Sequence, residues 1–200
     1  MVRLYASVIA AMGIVAFAPF AASQTSSPPT QTPHLELVER TIVSVGDNWT
    51  YRNFQINTGN TNRTWVETVV SVTDVGYTTQ RVDRISSVGQ DLPAESRTYI
   101  FGEGLYSFPL YVGKSWQSEN VRNGQPAGTS RYTVVSSEII DTAVGKLETL
   151  KIETVFTLND RESRQFIWYS PTVGHFVRLR YANRTDRHQV TELTNYDLSH

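Results

Sequence analysis

The sequence contains no cysteine. Disulfide cross-links are therefore excluded, as is attachment of a lipid through a cysteine, and the fold must be held by its hydrophobic core alone. Lysine is almost absent, occurring only at Lys114, Lys146 and Lys151. The other basic residues are arginines, whose planar forks suit carboxylate or phosphate but which a GC-rich genome also favours. With a formal net charge of −1 there is no field of one sign, which argues against nucleic acid or an anionic membrane surface as a partner. Histidine is limited to His34, His175, His188 and His200, with no H-x-H, H-E-x-x-H or D-x-D-x-D spacing. Neither a zinc nor a calcium site is expected, and no cofactor. Beyond residue 34 no stretch keeps a helical period for three turns, and Ser86 to Ser96 has room for one turn at most.

What is present begins with a targeting pattern. Arg3 precedes the apolar stretch "LYASVIAAMGIVAFAPFAA", and Ala21 and Ser23 are placed for cleavage before Gln24. Residues 1–23 read as a secretory signal peptide; the length of the run also suits a retained anchor, but Pro19 and the small residues favour cleavage. "QTSSPPTQTP" then forms a Pro/Ser/Thr-rich linker over residues 24–34, too polar to offset its ordering entropy. The expected protein is periplasmic or secreted, with no stable membrane anchor after cleavage.

Residues 35–200 read as one antiparallel β domain; 200 residues with 40% hydrophobic content can hold one sizeable core. "KIETVFTL" sets Ile152, Phe156 and Leu158 against Lys151, Glu153 and Thr157. "TWVETVVSV" puts Val66, Val70 and Val72 on one face, and "FVRLRY" sets Val177, Leu179 and Tyr181 against Arg178 and Arg180. Turn signals recur about every ten residues. "VSVGDNWTYR" is echoed by "LYVGKSWQSE", each with Val-Gly, two residues and a tryptophan, Trp49 or Trp116. Two similar units, 35–108 and 109–198, are expected to join edge to edge into a single strongly curved antiparallel sheet or open barrel.

The catalytic patterns fail one by one. "VGKS" at Val112 lacks the glycine a phosphate loop needs five positions before Gly113, where Phe108 stands, and no helix follows. No G-x-S-x-G occurs, and Ser170 and His175 share one short loop that reads as a turn. Glu67, Asp83, Glu138 and Glu153 alternate with apolar neighbours and are expected on wet strand faces. Arg161, Arg164, Arg178 and Arg180 form a stripe with two readings: cross-strand pairing with Glu153, Glu162 or Asp186, or a patch facing an anionic ligand or partner.

Three runs carry a family resemblance: "FPLYVGKSW", "TAVGKLETLKIE" and "WYSPTVGHFVR". Pro109, Leu110, Gly113 and Trp116 carry the first, Ala143, Gly145, Leu147 and Lys151 the second, and Trp168, Tyr169, Pro171, Val173, Gly174 and Val177 the third. Together they resemble a family of exported bacterial proteins, many of them lipoproteins, sometimes called TapB-like. The resemblance implies a curved antiparallel sheet in the bacterial envelope, broadly like lipoprotein carriers with an open barrel, and no established activity. The chain departs from it in lacking the lipid-attachment cysteine.

"FIWYSPTVGHFVRLR" then reads as a hairpin. Phe166 to Tyr169 is a strand, Ser170 to Gly174 the turn, and His175 to Tyr181 the return, with Gly174 free to take a positive φ. Trp168 and Tyr169 point to opposite faces, so one at most is expected in the main core, and His175 is expected exposed or singly hydrogen-bonded. Two functions from different classes follow. One is a binding module whose concave face takes a lipid or other amphiphile in a pocket of aromatic and leucine side chains. The other is a structural module with a filled core that meets an envelope protein through an edge strand or the arginine stripe. No catalytic motif supports an enzyme.

Overall fold

Strands form where the chain alternates, and glycine, asparagine and aspartate end them. The computed structural model describes residues 35–122, 125–159, 161–182 and 189–200; the signal and linker segments fall outside the described residues. Among these there is no helix, and the strands make one antiparallel sheet that does not close. The first half supplies β1 (Asn48–Gln55), β2 (Thr61–Val72), β3 (Gly76–Ile85), β4 (Gln90–Asp91) and β5 (Glu95–Ile100). The second supplies β6 (Ser115–Arg122), β7 (Gln125–Thr142), β8 (Gly145–Leu158), β9 (Arg161–Ser170), β10 (His175–Tyr181) and β11 (Gln189–Asp197). Hairpins order them β4-β3-β2-β1-β11-β10-β9-β8-β7-β6, with β5 beside β3. The two halves meet where β11 pairs with β1 along its whole length.

Both Val-Gly-x-x-Trp elements build the same clasp. Gly46 and Gly113 take positive φ, 99° and 94°, a region open to glycine. Gly46 N donates to Val69 O at 3.0 Å, and Val69 N donates back to Asp47 O at 2.8 Å. Gly113 N donates to Val134 O at 2.8 Å, and Val134 N to Lys114 O at 2.9 Å. Each clasped valine belongs to a Thr-Val-Val-Ser run, and the register shifts next to it, between Val69 and Ser71 and between Val134 and Ser136. A bulge adds local twist, so the same device bends the sheet in both halves.

The inner face of β2 differs from the expected one. Trp65, Glu67 and Val69 are buried, whereas Val66, Val70 and Val72 are exposed. Trp65 lies opposite Tyr51 and stacks on it with ring centroids 5.3 Å apart. Burying one large aromatic pair outweighs three valines, which a strand tolerates outside.

In the Phe166–Arg180 hairpin the return strand starts at His175 as expected and Gly174 takes φ 69°, while Ser170 still belongs to β9, opposite His175, which shortens the expected turn by one residue. Trp168 and Tyr169 do face opposite ways, yet both are buried. Tyr169 joins Leu110, Tyr132, Leu150 and Ile152 on the concave side, beneath Val38, which bridges to Leu110. Trp168 is covered on the convex side because the far end of the long β7–β8 hairpin folds over it: it shares a cluster with Ile140 and Leu147 and donates to Glu138 Oε1 at 2.8 Å. Val177 sits at a bulge in β10 and joins that cluster, which breaks the expected Val177–Leu179 alignment.

Gly76 tests the edge. A Cβ there would lie 2.1 Å from the Tyr99 carbonyl oxygen of β5. Gly76→Ala is expected to lose about 2 kcal/mol or more of stability, with β5 amides losing protection first; urea denaturation and hydrogen exchange measure both.

Candidate functional site

The concave face is built in rungs that the strand register fixes. At the outer rung Gln165 pairs with Tyr181. One rung deeper, Asn53 lies between Arg63 and Thr191, Thr191 faces Leu179, and Leu179 faces Ile167. Deeper again, Tyr51 lies opposite Trp65, and Trp65 opposite Asp83. These rungs, with Phe176, Tyr99 and Leu105, enclose a cavity of ≈ 860 Å³. Amides mark the outer rung, at Gln165 and Gln189; Ile167 and Leu179 share the middle rung with Arg63, Asn53 and Thr191, and Trp65 and Phe176 line the depth.

Three guanidinium groups and no carboxylate line this cavity: Arg63, Arg81 and Arg97. Arg81 is held in a two-point contact with Asp83, at 2.9 and 2.6 Å, and lies 4.0 Å over the Trp65 ring. Asp83 is buried, contrary to its expected place on a wet face; the Arg81 fork offsets the cost of desolvating it. Arg63 reaches Asp83 only at 3.6 Å and Arg97 reaches the exposed Glu95 only at 3.6 Å, both too long for a hydrogen bond.

A second cavity of ≈ 740 Å³ opens between the sheet edges, lined by Thr98 to Phe101 on one side and Gln117 to Asn120 on the other. Tyr99, Leu105 and Tyr132 line both cavities. Among the described residues the outer side of β5 and that of β6 have no strand partner.

The motif residues act as fasteners around these openings. Trp116 stacks on Tyr132 at 5.1 Å and donates to Gly104 O at 2.9 Å. Pro109 O accepts from Lys114 Nζ at 2.8 Å, Pro171 O from Thr41 Oγ1 at 3.3 Å, and Gly145 turns β7 into β8 with φ 112°. The arginine stripe divides. Arg164, Arg178 and Arg180 share the convex face, while Arg161 has the opposite parity on β9. Arg164 pairs with Glu153 at 3.1 Å, one of the expected partners. Arg178 instead meets Glu192 at 2.7 Å, and Arg52 takes the other oxygen of Glu192 at 2.9 Å. This triad crosses the β1–β11–β10 seam. Asp186 lies outside the described residues.

Glu67, expected on a wet face, and His175, expected exposed or singly hydrogen-bonded, belong to a buried polar nest. Glu67 accepts from Thr79 Oγ1 at 2.8 Å and from the Tyr99 hydroxyl at 2.6 Å. His175 is fully buried, stacked on Trp49 at 4.5 Å, with Nδ1 2.7 Å from the Tyr51 hydroxyl. Tyr51 also lies 2.9 Å from Phe176 O. That carbonyl can only accept, so Tyr51 donates to it and Nδ1–H donates to Tyr51, which assigns the imidazole tautomer. His175 is inside because the turn before it is pinned: Trp49 Nε1 donates to Val173 O at 3.0 Å. Trp65, Glu67 and Val69 at alternate positions were the available signal for a buried Glu67.

Every shift in the nest favours the neutral form. Burial pushes the Tyr51, Tyr77, Tyr99 and Tyr106 hydroxyls well above their ordinary range, and lowers His175 to about 4. A general acid or base is tuned toward neutral pH, the opposite direction. Ser170 and His175, neighbours across the turn, are both fully buried, and the imidazole engages Tyr51. The folded state resists a proton that the unfolded chain accepts near pH 6.5. The His175 contribution is therefore complete above about pH 6.5 and is lost as pH falls toward 4, a change of about 3 kcal/mol. Stability measured by urea denaturation is expected to fall across that window, and His175→Gln to flatten the fall; Asp47, held low by Ser199 and Ser44 against its burial, acts only at lower pH.

No family model matches the chain, and no curated protein matches it, so the TapB-like resemblance rests on its three motifs. Solved structures are similar to the chain over most of its length. A candidate lipoprotein from Parabacteroides distasonis has a TM-score of 0.50 at 13% identity, covering 80% of this chain and 99% of its own. A candidate exported protein with a YmcC-like fold, from Bacteroides fragilis, gives 0.49 at 13% identity over 80% and 99%. The hypothetical lipoprotein YmcC from Escherichia coli gives 0.40 at 11% identity over 80% and 91%. At the first of these scores the likeness is one of fold.

Proposed function

We propose that the protein is an exported bacterial envelope protein that binds an amphiphile on the concave face of its sheet, without catalysing a reaction on it. The carrying observation is the ≈ 860 Å³ cavity, whose lining is divided between aromatic or aliphatic side chains, with Trp65 and Phe176 in its depth, and polar ones, with amides at its outer rung. Small-molecule sites run from about 300 to 1,000 Å³, and a lining divided in this way matches an amphiphile, which has both an apolar and a polar part, better than a wholly apolar or wholly polar ligand. The signal-like residues 1–23 support export, and the absence of cysteine supports a form without a lipid anchor.

A second reading draws on the unpaired edges of β5 and β6, which could accept a strand from an envelope protein. Native mass spectrometry separates the two. Residues 24–200, purified without detergent from an exporting host, are expected to carry a discrete extra mass that disappears on denaturation and extracts as a lipid. Leu179→Trp, which narrows the cavity at its middle rung, is expected to reduce the share of protein that carries that mass while costing only about 1–3 kcal/mol of stability. A bare mass that takes up no added lipid would overturn the amphiphile reading and move the search to cross-linked protein partners at the β5–β6 opening.

A further inference from the structure

We propose that the amphiphile carries an acidic head group, a carboxylate or a phosphate, held by Arg63 and Arg97. This rests on the amphiphile reading above and specifies its ligand.

The cavity wall formed by β2, β3 and β5 presents guanidinium groups, and none of its lining residues is acidic. The acids of that wall are turned to other work. Asp83 is closed in the fork of Arg81, and Glu67 accepts from Thr79 and Tyr99. Arg81 is consequently a neutralised, rigid backing, fixed further by the Trp65 ring beneath it. Arg63 and Arg97 are different. Each is about half exposed, 46% and 40%, and each has its nearest carboxylate at 3.6 Å, beyond hydrogen-bond reach. Arg63 and Arg97 are therefore only loosely engaged, Arg97 also by the neighbouring Tyr99 hydroxyl, and the exposed contact between Arg97 and Glu95 contributes little that a ligand must displace.

Their position suits a head group. Arg63 stands on the same rung as Asn53 and Thr191, between the amides of the outer rung and the aromatic depth. An acyl chain directed at Trp65 and Phe176 leaves its polar end level with Arg63; Arg97 lines the same cavity from β5, its backbone three rungs deeper and its side chain turned outward toward Glu95. Planar forks recognise both carboxylate and phosphate oxygens through paired, charge-assisted hydrogen bonds. An uncharged head would leave those donors to water and gain nothing from them.

The test is titration calorimetry of the mature protein with three probes of equal chain length: laurate, dodecyl phosphate and uncharged monolaurin. Laurate or dodecyl phosphate is expected to bind about tenfold or more tightly than monolaurin, and the preference to shrink at high salt. The double variant Arg63→Gln, Arg97→Gln is expected to erase the preference; Arg180→Gln on the convex face is expected to leave it intact. Tighter binding of dodecyl phosphate than of laurate would assign the head group to phosphate, and the reverse to carboxylate. Equal affinity for all three, or a preference that survives the double variant, would overturn the head-group proposal and leave the amphiphile reading standing. No binding of any probe would overturn both.

Discussion

The fold depends on the contact between β1 and the start of β10. There Trp49 stacks on His175, Tyr51 bonds its Nδ1, and Trp49 bonds the carbonyl of Val173. β1 opens the first half of the sheet, and β10 lies one strand beyond β11 in the second. Two rows of hairpins could otherwise slide along the β1–β11 seam, because backbone ladders alone specify register weakly. A buried imidazole with one donor and one partner removes that freedom. A one-residue slip would strand Nδ1 and the Tyr51 hydroxyl without partners, a cost of the order of 1–3 kcal/mol for each buried group. On the opposite face of the same seam, Glu192 between Arg52 and Arg178 repeats the constraint with charge.

Curvature follows from a second constraint, the paired clasps at Gly46 and Gly113. Each ties a turn to a valine just before a bulge, and the added twist at both places rolls the sheet around its concave face. The sheet rolls without closing. Its two edges instead approach across the smaller cavity, and the larger one lies within the roll. Space for a ligand is thus a result of backbone geometry more than of any missing side chain. That explains why the interior could hold an aromatic floor, a buried carboxylate nest and guanidinium groups together.

The family of motifs around Pro109, Gly113, Trp116, Trp168, Tyr169, Pro171 and Gly174 serves this scaffold. The tryptophan ring nitrogens bond carbonyl or carboxylate oxygens on other elements, and the glycines supply the turns. The side chains with chemical potential come from elsewhere, chiefly β2, β3 and β5, where no motif drew attention. Arg63, Arg81 and Arg97 look like ordinary surface arginines in the sequence; they share a cavity only because three neighbouring strands bring them to one wall.

The sequence by itself determined the class of fold and much of its local detail. Period-two alternation, turn residues at regular spacing and the absence of helical periods suffice for an antiparallel sheet, since these signals act over a few residues. The Phe166–Arg180 hairpin was legible for the same reason, as was the echo between Trp49 and Trp116. Only the tertiary structure decided which face of each strand is inside. Alternation says that two faces differ, not which one meets the core: Trp65 and Glu67 went in where Val66 and Val70 stayed out, because Tyr51 on the neighbouring strand supplied a partner for the ring. Trp168, Tyr169 and His175 are all buried because segments far away in the chain cover both faces of their hairpin. The candidate site combines residues of eight strands, and no local pattern encodes that convergence.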